Sequence, residues 1–220
     1  MSSAAEFVAR LRKVDCCAVA DALDRLNLKG VVSGLPQRSG TGRIAGKVIT
    51  VKLGTGPAPD GPPRHLCTTA IESGGPDNVI VVEQRTGIEA GSWGGLLSVG
   101  AKARGIAGVI AEGPARDIDQ SRELQFPVFA RSLTALTARG RIVEQATNVA
   151  VRVGDVNVAP GDYVIADRSA VVFIAAAQIG RVLDAAERIA AREGEMAKHI
   201  LAGQPIGSVM AGDYEHMLKG

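Results

Sequence analysis

Four short runs rich in valine and isoleucine limit what this chain can fold into. They are residues 44–53 (IAGKVITVKL), 78–83 (NVIVVE), 107–112 (AGVIAE) and 126–130 (FPVFA). Branching at Cβ stiffens the side chain and suits it to a strand. Several runs are continuously apolar rather than alternating, the pattern of a strand buried on both faces. Helical stretches fall near 64–73 and 93–104, and two more open the chain, near 3–13 and 15–27. Asp15 is placed to cap the second of these, because its side-chain oxygen can accept from free first-turn amides. After residue 140 come strand candidates at 141–146, 149–153, 156–158, 162–166 and 170–174. Gly154-Asp155 and Pro160-Gly161-Asp162 supply turns between them. The pattern is α/β in the middle with packed β-structure at the end.

The C-terminal third ends in a long amphipathic helix. Ile179, Val182, Leu183, Ala186, Ile189, Ala190, Met196, Ala197, Ile200 and Leu201 follow the helical period, and Gly203 and Pro205 stop it. Glu193 breaks the stripe. A carboxylate on an apolar face needs a partner. It is an ion-pair member, the frayed edge of the stripe, or a functional group aimed at a site, on this subunit or another.

Composition removes other classes. Lys+Arg 25 against Asp+Glu 23 leaves a net charge of +2, and aromatic residues make up 3%. A nucleic-acid surface calls for a basic excess and aromatic platforms, so no nucleic-acid partner is expected. No apolar run reaches the about 18 residues of a membrane span, and no membrane partner is expected either. The N-terminus lacks the apolar segment of a secretory signal. Cys16, Cys17 and Cys67 show no CxxC or Cys/His ligand spacing. They read as reduced thiols of a cytoplasmic protein. Nothing in the chain resembles a linker between domains, and 1–220 reads as one domain. The Pro/Gly-dense stretch Gly54–Arg64 is a loop within it.

Glycine marks the segment that carries chemistry. Residues 87–113 hold eight glycines in 27 positions, far more than an even spread of 27 over 220 residues. The loop GIEAGSWGG feeds a helix beginning near Leu96. Free amides at such a start, with the helix dipole behind them, bind anions, and Gly94-Gly95 lets a ligand come close. The strand AGVIAE then leads to Gly113-Pro114-Ala115-Arg116-Asp117. Ligands of α/β sheets bind beyond strand C-termini. Arg116 offers a planar cation for a carboxylate or enolate, and Asp117 a hard oxygen for Mg²⁺ or Mn²⁺. The plainer alternative is that Asp117 caps the next helix and Arg116 is a surface residue.

The stretch SWGGLLSVGAKARGIAGVIAEGPARDIDQSRELQFPVFAR resembles the RraA-like family. That family includes the regulator of ribonuclease E activity A and metal-dependent 4-hydroxy-4-methyl-2-oxoglutarate aldolases. Its pattern sets one residue before Leu-Leu, twenty residues between, then Arg-Asp; here these are Gly95, Leu96-Leu97 and Arg116-Asp117. VADALDRL, AGKVITV, the PGD turn before VIAD and the helix bearing Glu193 extend the likeness over most of the chain.

The resemblance implies a swivelling β/β/α domain with N-terminal helices and a long C-terminal helix. It also implies a homotrimer or dimer of trimers with the site between subunits. Carried over residue by residue, Arg116 and Asp117 are catalytic, Asp117 holds Mg²⁺ or Mn²⁺, and Gly94, Gly95, Leu96, Leu97 and Arg116 bind substrate. Glu193 comes from the neighbouring subunit. The expected activity is class II-type cleavage of a 4-hydroxy-2-oxo acid to pyruvate, with oxaloacetate decarboxylation through the same enolate; the alternative is a non-catalytic regulator binding a ribonuclease or helicase. Two departures bear on this. Aldolases of the family often carry an acid where Gly95 stands. Many members carry Glu or Asp at the position of Gln120, and Asp119 would point elsewhere.

Other candidates read as structural. Lys47 and Lys52 are exposed strand lysines, and no Schiff base is needed. His65, His199 and His216 have no ligand spacing. Trp93 either lines the pocket or packs. Gly40-Thr41-Gly42 fits a loose dinucleotide pattern, but a strand follows where a helix is required. No nucleophile-elbow sequence supports Ser/His/Asp catalysis.

Overall fold

Capping residues decide where the first helices begin. Ser3 accepts from the Glu6 amide while Glu6 accepts from the Ser3 amide, a reciprocal box that opens α1 (Ala4–Leu11). Asp15 accepts from the Ala18 amide at 2.8 Å and opens α2 (Cys16–Arg25), as expected. The computed structural model describes residues 3–61 and 64–211.

Strands β1 (Val31–Val32), β2 (Gln37–Ser39) and β3 (Ile44–Gly54) follow, then α3 (Thr68–Ser73), β4 (Asn78–Gln84), α4 (Gly95–Ala103) and β5 (Gly108–Ala115). Next come α5 (Ile118–Glu123), β6 (Val128–Leu133), β7 (Val143–Thr147), β8 (Val151–Val153) and β9 (Val156–Val158). Strands β10 (Tyr163–Ala166) and β11 (Val171–Ile174) lead through a short 3-10 turn to α6 (Ile179–Leu201) and α7 (Ile206–Met210).

Nine strands form one sheet in the order β1-β11-β10-β3-β4-β5-β6-β2, with β7 pairing the outer half of β3. The pairs β3–β4, β4–β5 and β5–β6 are parallel, and helices α3, α4 and α5 make the three connections. The alternation of strand and helix in the middle of the chain therefore gives the expected α/β architecture. The C-terminal strands differ from expectation. Strands β10 and β11 do not form a separate packed unit but extend the same sheet, β10 antiparallel to β3 and β11 antiparallel to β10. Only β8 and β9 stand apart, as a hairpin.

The period of two along each strand sorts the core. Ile49, Val51, Ile80, Val82, Val109 and Ala111 face the helices α3–α5. Farther along that face, Tyr163, Ile165, Val172 and Ile174 pack against α1, α2 and α6. Val48, Val79, Val81, Ile110 and Phe129 point the other way, onto Val151, Val153 and Val158 of the hairpin. The layers are thus helix, sheet and hairpin, the β/β/α arrangement that the resemblance implied.

Sequence reading missed β1, β2, α5 and α7, each six residues or fewer, too short to show a period. The helix expected at 64–73 begins only at Thr68. The Gly40-Thr41-Gly42 turn joins strand β2 to strand β3, so it opens no helix. On α6, Val182, Leu183, Ala186 and Ile189 are buried, while the later stripe residues are not. Leu183→Ala removes a fully buried side chain from the α2–α6 contact and should cost about 2–5 kcal/mol, read by denaturant unfolding.

Candidate active site

Strand β5 ends at Ala115, and the chain turns at once into α5. Asp117 makes that turn in the left-handed region, at φ 53° and ψ 40°, a conformation costing roughly 1–2 kcal/mol for a residue with a Cβ. Neighbouring bonds hold it there: Arg116 N donates to Trp93 O at 2.9 Å, and Thr134 N to Ala115 O at 3.0 Å. Asp117 occupies the N-cap position of α5 but gives that helix no side-chain bond. Its Oδ2 instead accepts from the amide of Gly95, the first residue of α4, at 3.2 Å. The plain capping alternative is therefore corrected: Asp117 caps a different helix. Oδ2 also accepts from Arg116 Nε at 3.2 Å. Both side chains remain partly exposed.

Helix α4 starts at the same point. Gly94 is its extended N-cap, and Ser98 N donates to Gly94 O at 3.1 Å. With the Gly95 amide on Asp117, the N–H groups of Leu96 and Leu97 have no acceptor among the described residues. They form the positive end of the helix, beside the guanidinium of Arg116. The structure thus brings Gly94, Gly95, Leu96, Leu97, Arg116 and Asp117 together.

The glycines here are a matter of space. A Cβ on Gly91 would lie 2.8 Å from Arg116 Cγ and Cδ. A Cβ on Gly95 would lie 1.7 Å from Gln120 Oε1. The two departures from the family pattern, Gly95 and Gln120, therefore lie side by side, with the end of the Gln120 side chain over Gly95, a proximity invisible in the sequence because 25 positions separate them.

A buried polar chain fixes the site. Trp93 Nε1 donates to Ser98 Oγ at 2.9 Å, and Ser98 Oγ meets Ser121 Oγ at 2.8 Å. Both serines are fully buried, and Trp93 stacks on Phe126. Trp93 therefore packs and positions rather than lining the pocket. The chain ties α4 to α5 and so holds Gln120 and Asp117 against the α4 start. Nothing in the sequence singled out Ser98 or Ser121.

Glu193 lies elsewhere in the chain. Helix α6 packs on α1 and α2, and the half-buried Glu193 carboxyl is pushed up by burial, then by Asp21 and Asp15. No cation is paired with it among the described residues, so the ion-pair alternative is not what the structure shows. Burial likewise raises the Cys16 and Cys67 thiols, which disfavours the thiolate. His65 and His199 are exposed, and His216 lies outside the described residues. Lys52 is exposed and lies 3.9 Å from Glu83. A cleft of about 960 Å³ adjoins the site through the loop after Leu136, whose carbonyl accepts from Gly91 N; Arg64, His65, Arg139 and Glu144 line it.

Among the described residues no three His, Cys, Asp or Glu side chains converge as a metal cage. The donor set still suits a hard divalent ion shared with substrate. Asp117 Oδ1 accepts no hydrogen bond among the described residues, and Mg²⁺ commonly binds through one or two carboxylates plus water and ligand oxygens.

The RraA-like (Aldolase/RraA) family model matches residues 16–173. The chain belongs to this family. An uncharacterised protein of Methanocaldococcus jannaschii is 34% identical over 122 residues, 56% of this chain and 58% of that protein, so the chain spans less than two thirds of that relative. A Halalkalibacterium halodurans protein, named as a proposed 4-hydroxy-4-methyl-2-oxoglutarate aldolase, is 27% identical over 90% of this chain and 91% of its own. An uncharacterised Pseudomonas syringae structure superposes with a TM-score of 0.83 at 23% identity, covering 95% and 94% of the two chains. RraAS2 of Streptomyces coelicolor, described as an unusual member of the RNase ES inhibitor RraA family, gives 0.77 at 24% identity, covering 88% and 98%. These structures share the fold.

Two measurements check the site's construction. Ser98→Ala leaves the Trp93 and Ser121 groups without their shared partner and should cost about 1–3 kcal/mol by denaturant unfolding. Glu193→Gln removes a carboxylate whose ionisation the fold opposes. A raised pKa means stability is present at low pH and lost as pH rises through the folded-state value. The variant should therefore melt higher than wild type at pH 7, with the gap closing as pH falls through the carboxylate range. An unchanged or lower midpoint at pH 7 would show that a cation neutralises Glu193 in the assembled protein.

Proposed function

We propose that this RraA-like protein is a divalent-metal-dependent lyase of the class II aldolase type acting on a small 2-keto acid. It cleaves 4-hydroxy-2-oxo acids to pyruvate and decarboxylates oxaloacetate. The observation that carries this reading is the pair of unsatisfied amides, Leu96 and Leu97, beside Arg116 and Asp117. Mg²⁺ or Mn²⁺, held by Asp117, would supply positive charge at the keto oxygen when bound.

The chain's own groups do the rest. The amides of Leu96 and Leu97 take the carboxylate next to the keto group. Arg116 is anchored through Nε, and its two terminal nitrogens are without partners among the described residues. They stabilise negative charge on the enolate oxygen as it develops. In aldol cleavage the 4-hydroxyl gives up its proton, the C3–C4 bond breaks, and its electron pair stays on C3 as the enolate of pyruvate. In oxaloacetate the bond to the distal carboxylate breaks and CO₂ leaves, giving the same enolate, which a proton then quenches. In aldol cleavage Glu193 of the partner subunit steers the water that takes the 4-hydroxyl proton and returns it to C3; after decarboxylation the proton comes from solvent.

Two sets of exposed apolar residues support an assembly that brings Glu193 to a neighbour's site. Leu96 is 82% exposed at the α4 start, and Leu133 at the end of β6 and Leu136 on the loop after it are exposed too. On the C-terminal segment Leu201 is 87% and Ile206 61% exposed. One set meeting the other is a heterologous contact, which gives a ring where its rotation closes; the ring proposed here is a homotrimer or a dimer of trimers. Free cysteines agree with a cytoplasmic location.

The test is pyruvate release from oxaloacetate with Mg²⁺ or Mn²⁺, with and without chelator. Wild type should turn over only with metal. Asp117→Ala should abolish this metal-dependent turnover, and Arg116→Ala should lower kcat by about 10²–10³. Mixing Asp117→Ala with Glu193→Ala subunits should restore activity through mixed interfaces. An intact ring with no turnover of any 2-keto acid would favour a regulator that binds a ribonuclease or helicase.

A further inference from the structure

We infer that Gln84 is a positioning residue for Arg116: from beneath, it holds the loop whose Gly91 backs the Arg116 side chain. This rests on the lyase reading above and goes beyond it by naming a residue that touches neither substrate nor metal.

Strand alternation puts Gln84 where it can act. It ends β4, and the row Ile80, Val82, Gln84 faces the helix layer, the side on which α4 begins. The residue is 5% exposed, and a carboxamide so buried needs partners. Its Nε2 donates to Ile88 O at 2.8 Å and reaches Ala90 O at 3.5 Å. Both acceptors are carbonyls, which turns the nitrogen of the carboxamide toward the loop.

These bonds matter because burial does not shape the turn. Arg85, Gly87, Ile88 and Glu89 are exposed. The other bonds of the turn, from Ile88 N to Thr86 Oγ1 and from Thr134 Oγ1 to Glu89, are exposed as well, and exposed bonds compete with water. The far end of the loop is fixed separately. Ser92 N and Oγ both donate to Pro114 O, at 2.8 and 2.7 Å. Gly113 lets the two anchors meet over β5: a Cβ there would lie 2.8 Å from Gln84 Cβ and 3.3 Å from Ser92 Oγ. Gln84 secures the middle of the loop and Ser92 its end.

The loop in turn places Arg116. A Cβ at Gly91 would lie 2.8 Å from both Cγ and Cδ of Arg116, so the Gly91 backbone is a wall against that side chain. On the other side Arg116 Nε donates to Asp117 Oδ2 at 3.2 Å. One tether leaves a guanidinium free to swing about Nε; the wall stops it. Stabilisation of a developing enolate depends on where the charge sits, whereas the α4 amides hold the carboxylate in the ground state. A displaced guanidinium therefore costs rate more than binding.

The test is a double-mutant cycle, read as kcat and KM for oxaloacetate at saturating Mg²⁺. Gln84→Met keeps the length of the side chain and deletes the donor. It should lower kcat about tenfold and leave KM within about twofold of wild type. In an Arg116→Ala background the same change should lower kcat by less than about twofold, because the group it positions is gone. Gln84→Glu sets a carboxylate against two carbonyls and should lower kcat further than Gln84→Met. Full additivity of Gln84→Met and Arg116→Ala would overturn the inference while leaving the lyase reading standing, since a general loss of folding lowers activity equally in both backgrounds.

A second readout needs no turnover. Hydrogen exchange at the amides of Gly91 and Ser92 should be about tenfold faster in Gln84→Met, while Val109–Ala111 of β5 keep wild-type protection. Unchanged exchange in the loop would overturn the inference whatever the activity. If the loop loosens as stated but wild type turns over no 2-keto acid, the lyase reading fails, and the role given to Arg116 fails with it.

Discussion

The bond from the Gly95 amide to Asp117 Oδ2 is the contact around which this site is organised. It closes the start of one helix with the side chain of another connection, 22 positions away. To make it, Asp117 takes a left-handed backbone conformation. Arg116 then lies across Gly91 and Gly94, close enough that a Cβ at Gly91 would meet its side-chain carbons at 2.8 Å. The free amides of Leu96 and Leu97, the tethered guanidinium and the carboxylate come together as a consequence of this one closure.

Such closeness requires a rigid frame. The parallel strands β4 and β5 are held in register from Val79–Gly108 to Glu83–Glu112. They deliver the loops before α4 and α5 to the same sheet edge, where sites of α/β folds gather. The buried Trp93–Ser98–Ser121 chain locks the two helices to each other, with every member satisfied. A fully satisfied polar chain in a dry core fixes geometry more sharply than apolar contacts, which are non-directional. This small-residue site has little aromatic bulk, and its one tryptophan is spent on the frame.

How much was legible differs by element. Asp15 as a cap, the runs at 44–53 and 78–83 and the long helix at Ile179–Leu201 could be read directly, because capping and periodicity are local. Arg116 and Asp117 were legible as residues but not as a contact, since a carboxylate before a short helix reads as that helix's own cap. Gln120 was legible only as a departure from a pattern. That its side chain fills the space above Gly95 depends on how α5 lies on α4. Ser98 and Ser121 gave no signal, since a lone serine in an apolar stretch does not announce its partner.

The amino-acid sequence by itself determined the alternation of strand and helix, the glycine-lined approach to the start of α4 and the candidate chemistry of Arg116 and Asp117. These follow from backbone preference, period and residue type, all properties of neighbours along the chain. Only the tertiary structure decided which helix Asp117 caps, that the end of the Gln120 side chain lies over Gly95, and that Glu193 sits among Asp15 and Asp21 rather than beside Arg116. The reason is physical. Excluded volume and Coulomb interaction depend on distance through space, and the parallel sheet brings together residues that sequence order keeps apart.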